Sequence, residues 1–170
     1  MTELLAPATT GFLSDTRVQR AIELVWHEAV LLDAKRYDDW NALYTDDALY
    51  VIPIDQDSDD FENTLNMVYD DARMRQMRVT RLTEGYSLSA VDSARTVRTV
   101  SRFTVDAVSD TEVTLRSAQV LVSYKRGDHA MLGADLTHRI VLSPDGDRIG
   151  GKIIRLINSD SIVNASGYLL

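Results

Sequence analysis

Apolar and polar residues alternate most clearly in the second half of the chain. Ala130, Leu132, Ala134, Leu136, His138, Ile140 and Leu142 fall on one face, and Met131, Gly133, Asp135, Thr137, Arg139 and Val141 on the other. A period of two marks a strand with one buried face. The segment before it, 113–126, carries Ala118, Val120, Val122 and Tyr124 on one face. Between the two, Arg126-Gly127-Asp128-His129 supplies a turn whose glycine can take positive φ. Ser143-Pro144-Asp145-Gly146-Asp147 gives the next turn, and 149–158 the next strand. With 97–108, the stretch 95–158 reads as a four-stranded meander. Three of its strands change phase: from Val113 and Leu115 to Ala118 and Val120, from Val100 to Phe103, Val105 and Ala107, and at Gly150-Gly151 between Ile149 and Ile154. A change of phase flips the faces unless a bulge absorbs it, and bulges bend strands. The pattern therefore predicts a strongly curved sheet whose concave side must be filled.

The helical period begins at Asp15. Val18, Ala21, Ile22, Val25, Ala29 and Leu32 form one stripe, while Leu24, Trp26, Val30 and Leu31 lie off it. A helix apolar nearly all round its second half is expected to be buried on more than one side, as the filler of the sheet. Asp33-Ala34-Lys35-Arg36 ends it. Asp38-Asp39 suits the first turn of a short second helix, where carboxylates meet the positive end of the dipole, and Trp40, Leu43 and Tyr44 share its inner face. Asp46-Asp47 reads as a turn and 48–54 as a strand. Residues 65–83 read as a third helix with the stripe Leu65, Val68, Tyr69, Ala72, Val79 and Leu82, closed by Gly85 as a C-cap. The fold class is α+β: a strongly curved mixed or antiparallel sheet wrapped around an N-terminal helix. The expected organisation is a flexible arm over 1–14 and a single domain over 15–170.

Composition narrows the function. The 170 residues suit one domain with a sizeable core, at 45% apolar and 26% charged. A net charge of −8 argues against nucleic acid or an anionic membrane as partner. There is no cysteine, hence no disulfide, thiolate nucleophile or Cys-ligated cluster. No apolar run reaches the roughly 20 residues of a membrane span. Residues 1–11 lack the pattern of a signal peptide, so a cytoplasmic location is expected. The acidic stretch 55–62 begins like a calcium loop, Asp55-x-Asp57-x-Asp59. It has Asp60 where that loop needs glycine and Asn66 where it needs a bidentate Glu, so it reads as a solvated loop. The histidines are His27, His129 and His138. A two-histidine, one-carboxylate iron site needs two of them to converge; a core histidine bonded to a neighbour is the default. Arg78, Arg81, Arg95 and Arg98 form a cluster in an otherwise acidic chain. It serves either to balance nearby carboxylates or as a partner interface, since arginine combines planar donors with weak hydration.

The element order, helix, short helix, strand, helix and meander, resembles the cone-shaped α+β fold of nuclear transport factor 2, a cystatin-like cone. The resemblance narrows at Leu31-Leu32-Asp33, Tyr37-Asp38-Asp39-Trp40 and Tyr44-Thr45-Asp46-Asp47, at Asp70-Asp71 and Met77-Arg78-Val79-Thr80-Arg81-Leu82, at Ser93-Ala94-Arg95-Thr96-Val97-Arg98, at Arg139-Ile140-Val141-Leu142 and at Tyr168-Leu169-Leu170. These are similar to features of the small (beta) subunit of aromatic-ring-hydroxylating dioxygenases. The chain departs from that family near Arg148-Ile149-Gly150 and over 86–91, which lack tryptophan, and at Asn158-Ser159-Asp160-Ser161-Ile162, which echoes the family's ending only loosely. The resemblance implies a non-catalytic structural subunit, associating with itself as a homotrimer and with a large (alpha) oxygenase subunit in a hetero-hexamer. No cofactor is expected in this chain; the Rieske iron–sulfur cluster and the mononuclear iron are expected in the large subunit. The alternative is a stand-alone isomerase or dehydratase, or a small-ligand-binding homo-oligomer, because cones of this type host such sites. Its candidate residues are Tyr44, Asp47, Tyr50, Tyr69 and His138, where burial would tune a base beside a tyrosine. The plain reading of the same residues is core tyrosines with hydroxyls at the rim and an Asp47 in a turn.

Overall fold

The computed structural model describes residues 11–84, 94–159 and 168–170. Most of the expected arm, 1–10, lies outside the described residues; Phe12–Ser14 forms a single 3-10 turn, with Phe12 packed against the core. Asp15 caps α1 (Thr16–Asp33), its carboxylate accepting from Arg17 N at 2.9 Å, which satisfies one of the free amides of the first turn. The inward residues of α1 are Val18, Ala21, Ile22, Val25, Leu31 and Leu32, with Glu28 among them. The expectation of burial all round is corrected. Trp26 and Val30 are 50% and 63% exposed, because α1 packs its stripe against the sheet and no described element covers its other side. Trp26 is still anchored: its indole N–H donates to Val100 O, and its ring meets Phe103 edge-on.

A short helix, α2 (Tyr37–Ala42), begins with Asp38 and Asp39 in its first turn and leads directly into β1 (Tyr44–Pro53). The turn expected at Asp46-Asp47 is instead part of β1. The parallel ladder breaks between Tyr44 and Leu49, and the two aspartates point to solvent in that break. The helix expected over 65–83 is also corrected. Its first part is a strand, β2 (Asn66–Asp70), paired antiparallel with β1 from Tyr50↔Asp70 to Pro53↔Asn66. The backbone of this short segment finds its partners on the open edge of β1. The helix proper, α3 (Ala72–Glu84), starts after Asp71, whose carboxylate accepts from Met74 N at 2.8 Å. The expected C-cap, Gly85, lies outside the described residues, as do 86–91 and 160–162.

The meander follows as β3 (Arg95–Val108), β4 (Glu112–Lys125), β5 (Asp128–Val141) and β6 (Arg148–Leu156). The sheet order is β2-β1-β6-β5-β4-β3, with β1 and β6 parallel and the other neighbours antiparallel. Arg126 (φ 53) and Gly127 (φ 92) make the two-residue turn between β4 and β5, the positive-φ pair that matches the strand twist. Two of the three expected phase changes are bulges. The β3 ladder shifts between Ser101 and Thr104, where Arg102 takes φ 55. The β5–β6 ladder shifts between Arg139 and Ile140, leaving Gly150 as the extra residue. The third is corrected: β4 pairs with β5 without a break from Glu112↔Val141 to Lys125↔Asp128. Val113, Leu115 and Leu121 therefore face inward with Ser117, Gln119 and Ser123, while Val120, Val122 and Tyr124 face out. The sheet curves around α1 and α2, and one continuous core joins them, including Leu169 and Leu170.

Candidate functional site

Four donors converge on one carboxylate at the centre of the cone. Glu28, on the inward stripe of α1, is 2% exposed. Its Oε1 accepts from Tyr44 Oη at 2.7 Å, Trp40 Nε1 at 2.9 Å and Lys152 Nζ at 3.1 Å, and its Oε2 lies 2.9 Å from His138 Nε2. Each partner comes from a different element: α2 brings Trp40, β1 Tyr44, β5 His138 and β6 Lys152. Trp40, Tyr44 and Tyr50 meet one another edge-to-face with ring centroids 5.0–6.4 Å apart, a favoured aromatic geometry. A charge buried this deeply persists only when it is paired and fully hydrogen-bonded.

The protonation states follow. Burial pushes the Glu28 carboxyl up, but the Lys152 charge and the hydrogen bonds from His138 and Tyr44 outweigh it and hold the pKa well below the ordinary value. Burial pulls His138 down, and the opposing effect of Glu28 does not restore it. At neutral pH His138 is therefore a neutral ring donating Nε2–H to Glu28, and its buried Nδ1 has no partner among the described residues. The pair within salt-bridge distance is thus a charge–neutral hydrogen bond. Burial also lowers the pKa of Lys152 and raises those of the Tyr44 and Tyr50 phenols, the Glu28 charge adding to both. A general base needs a raised carboxyl pKa and access to a substrate. Glu28 has the reverse, with a lowered pKa and every partner buried.

A second, partly buried network adjoins the first. Asp33, the last residue of α1, accepts from Thr96 Oγ1, Arg98 N and Arg98 Nε at 2.8–2.9 Å. Arg98 then donates Nη2–H to Leu169 O at 3.1 Å. Tyr50 Oη and Lys152 Nζ donate to Leu170 O at 2.8 and 3.1 Å, and Leu170 N donates back to Tyr50 Oη at 3.2 Å. On the other side, Arg75 is buried over the Tyr44 ring and bonds Ala48 O and Thr45 O, and Arg78 grips buried Asp70 through two bonds of 2.6 and 3.0 Å.

The residues singled out from the sequence divide accordingly. Tyr44, Tyr50 and His138 come together in the interior. Asp47 is exposed on β1, and Tyr69 sits at the surface of β2, 36% exposed. His27 is exposed and His129 packs beside Tyr124, so neither approaches His138. Among the described residues no three metal-ligating side chains gather. Of the arginine cluster, Arg81 and Arg95 are exposed, Arg78 is half-buried on Asp70, and the Arg98 side chain is enclosed. The sequence reading missed Glu28, Trp40 and Lys152 as members of the cluster. Two carried a signal: Glu28 stands three residues after Val25 on the apolar stripe, and Lys152 is in phase with Ile154 and Leu156.

The outer face of the sheet is the other notable surface. Val97, Val122 and Met131 form one cross-strand row, 68%, 36% and 71% exposed. Val120 and Tyr124 flank it, and exposed Ile157 lies over Gly133. Arg95 and His129 stand at its edge, paired across from Tyr124. Beyond Asp135 the same face turns polar, with a groove of about 580 Å³ among Arg102, Arg116, Arg155 and the carboxylates of Asp106, Asp135 and Asp59.

A curved, open mixed sheet packed against one side of α1 defines a cone of the NTF2-like, cystatin-like α+β class. Residues 27–161 match the model of the ring hydroxylating beta subunit. The chain belongs to that family, the small subunits of aromatic-ring-hydroxylating dioxygenases. The small oxygenase component of the p-cumate 2,3-dioxygenase system of Pseudomonas putida is 30% identical over 131 residues, 74% of this chain and 71% of that protein. The beta subunit of the benzoate 1,2-dioxygenase from Burkholderia mallei superposes with a TM-score of 0.74 at 22% identity, over 95% of this chain and all of that one. A chain of naphthalene 1,2-dioxygenase, solved with indole in the active site, superposes at 0.71 and 15% identity, covering 91% and 84%. No described helix is long and apolar enough to cross a membrane.

Proposed function

We propose that this chain is a structural subunit that holds a large, metal-bearing oxygenase subunit in a defined assembly and carries out no reaction itself. The observation that carries the reading is the division of the molecule into a packed interior and an apolar outer face. Inside, Glu28 is saturated by four donors and Leu169 and Leu170 fill the adjoining space. Outside, Val97, Val120, Val122, Tyr124 and Met131 stand uncovered on one patch, and contiguous apolar patches on soluble proteins mark sites of association. Identical chains pack through this patch into a homotrimer. Arg81 and Arg95, free of the interior, dock the large subunit together with the helix and loop ends. The name of the Pseudomonas putida relative, a small oxygenase component, supports a large partner. With that partner the particle is a hetero-hexamer, and the Rieske cluster and mononuclear iron reside in the partner.

Met131→Glu tests this. A charge in the centre of the patch is expected to convert the purified trimer to monomer by sedimentation or light scattering, while far-UV circular dichroism is unchanged. Arg81→Glu, on α3 and away from the patch, is expected to leave the trimer and weaken co-purification of the large subunit. A wild-type chain that is monomeric at micromolar concentration, or that turns over a small carbonyl or hydroxy compound alone, overturns the reading.

A further inference from the structure

The interior of the cone encloses Leu169 and Leu170. Leu169 and Leu170 are 4% and 5% exposed and belong to the core cluster. Their backbone oxygens are gripped by three side chains whose residues are themselves buried: Arg98 on Leu169 O, Tyr50 and Lys152 on Leu170 O. Two cations and a phenol thus serve two adjacent oxygens, one donor on Leu169 O and two on Leu170 O, and a buried donor left without an acceptor costs about 1–3 kcal/mol. The set is also larger than the oxygens now present require. Arg98 Nη1 is buried and has no partner among the described residues, so the enclosure still holds a donor for a further oxygen. Leu169 and Leu170 lie beyond the 27–161 stretch that matches the family model.

We propose that Tyr50, Lys152 and Arg98 form a receptor for a small apolar acyl compound, and that Leu169-Leu170 is its built-in occupant. The ligand's carbonyl or carboxylate oxygen takes the place of Leu170 O, against Tyr50 Oη and Lys152 Nζ. Its branched or planar apolar body takes the place of the leucine side chains. Lys152 and Arg98 already face Glu28 and Asp33, so both cations are paired and the site does not require a charged ligand. A carboxylate uses the spare Arg98 N–H in addition. Compounds of this class reach the site only when the leucines leave it.

The test compares the intact chain with one lacking Leu169 and Leu170, each titrated with 4-methylpentanamide and with 4-methylpentanoate. At ligand tenfold above its Kd, the shortened chain is expected to gain about 3–6 °C in Tm, and the intact chain none. Tyr50→Phe in the shortened chain is expected to abolish the gain. A larger gain with the pentanoate identifies the site as a carboxylate receptor, and a larger gain with the amide as a carbonyl receptor. No gain with either compound, an equal gain in the intact chain, or a gain that survives Tyr50→Phe overturns the proposal. If the shortened chain does not fold alone, acetyl-Leu-Leu supplied in solution is expected to restore folding, and failure to do so overturns it equally.

Discussion

At the scale of single residues, Glu28 decides whether the interior holds together. Glu28→Gln keeps the volume and removes the charge, leaving Lys152 enclosed without its counter-ion. Breaking a buried pair in this way costs about 3–5 kcal/mol, which urea denaturation measures as a lower midpoint. Adding Lys152→Met is expected to recover part of the loss, since contacting residues are not additive. The same cluster sets the pH response. The folded pKa of His138 lies below its ordinary 6.5, so the unfolded chain binds this proton first as the pH falls. The folded pKa of Glu28 lies below its ordinary 4.5, with the same sign. Both contributions are present above the unfolded pKa and are lost on acidification. Stability is expected to decline below about pH 6.5 and more steeply below about pH 4.5, read as Tm against pH; Glu28→Gln flattens the lower limb. The positions of Glu28 and Lys152 were missed yet legible, because a polar residue in the phase of an apolar stripe is visible in a sequence. Their pairing was not, since nothing local links residues 124 positions apart.

At the scale of elements, the legible parts were those with a strict period. The stripe of α1, the alternation of β5 and the phase breaks at Arg102 and Gly150 all follow from side-chain spacing. The 65–83 segment did not, because Leu65, Val68 and Tyr69 suit a helix as well as a short edge strand, and the deciding partner is β1. In β4 the polar set, Ser117, Gln119 and Ser123, is the buried one. Apolar alternation reports a face but does not say which side of the sheet it takes. The bulges carry two predictions. A Cβ at Gly150 would stand 2.9 Å from both Arg139 Cζ and Val141 Cγ2. The arginine end can swing away and the valine cannot, so Gly150→Ala is expected to lower stability by about 1–3 kcal/mol in chemical denaturation. Arg102, at φ 55, occupies a conformation that glycine takes without strain, and its pair with Asp135 is largely exposed. Arg102→Gly is expected to be neutral or stabilising by up to about 1 kcal/mol, because such surface pairs contribute little.

At the scale of the whole molecule, the strand order has a consequence for how the cone is made. β1 is the first long strand, β6 the last, and they lie side by side in parallel. The seam joins residues as far apart in sequence as Tyr44 and Ile149, and pairings so distant are slow to form. During synthesis, α1 leaves the ribosome long before the sheet that will shelter it. Its apolar stripe, with Glu28 in the middle, waits for residues made more than a hundred codons later. The four donors that finally surround Glu28 are thus a lock fastened at the end of assembly, when the last β-hairpin brings His138 and Lys152 to it.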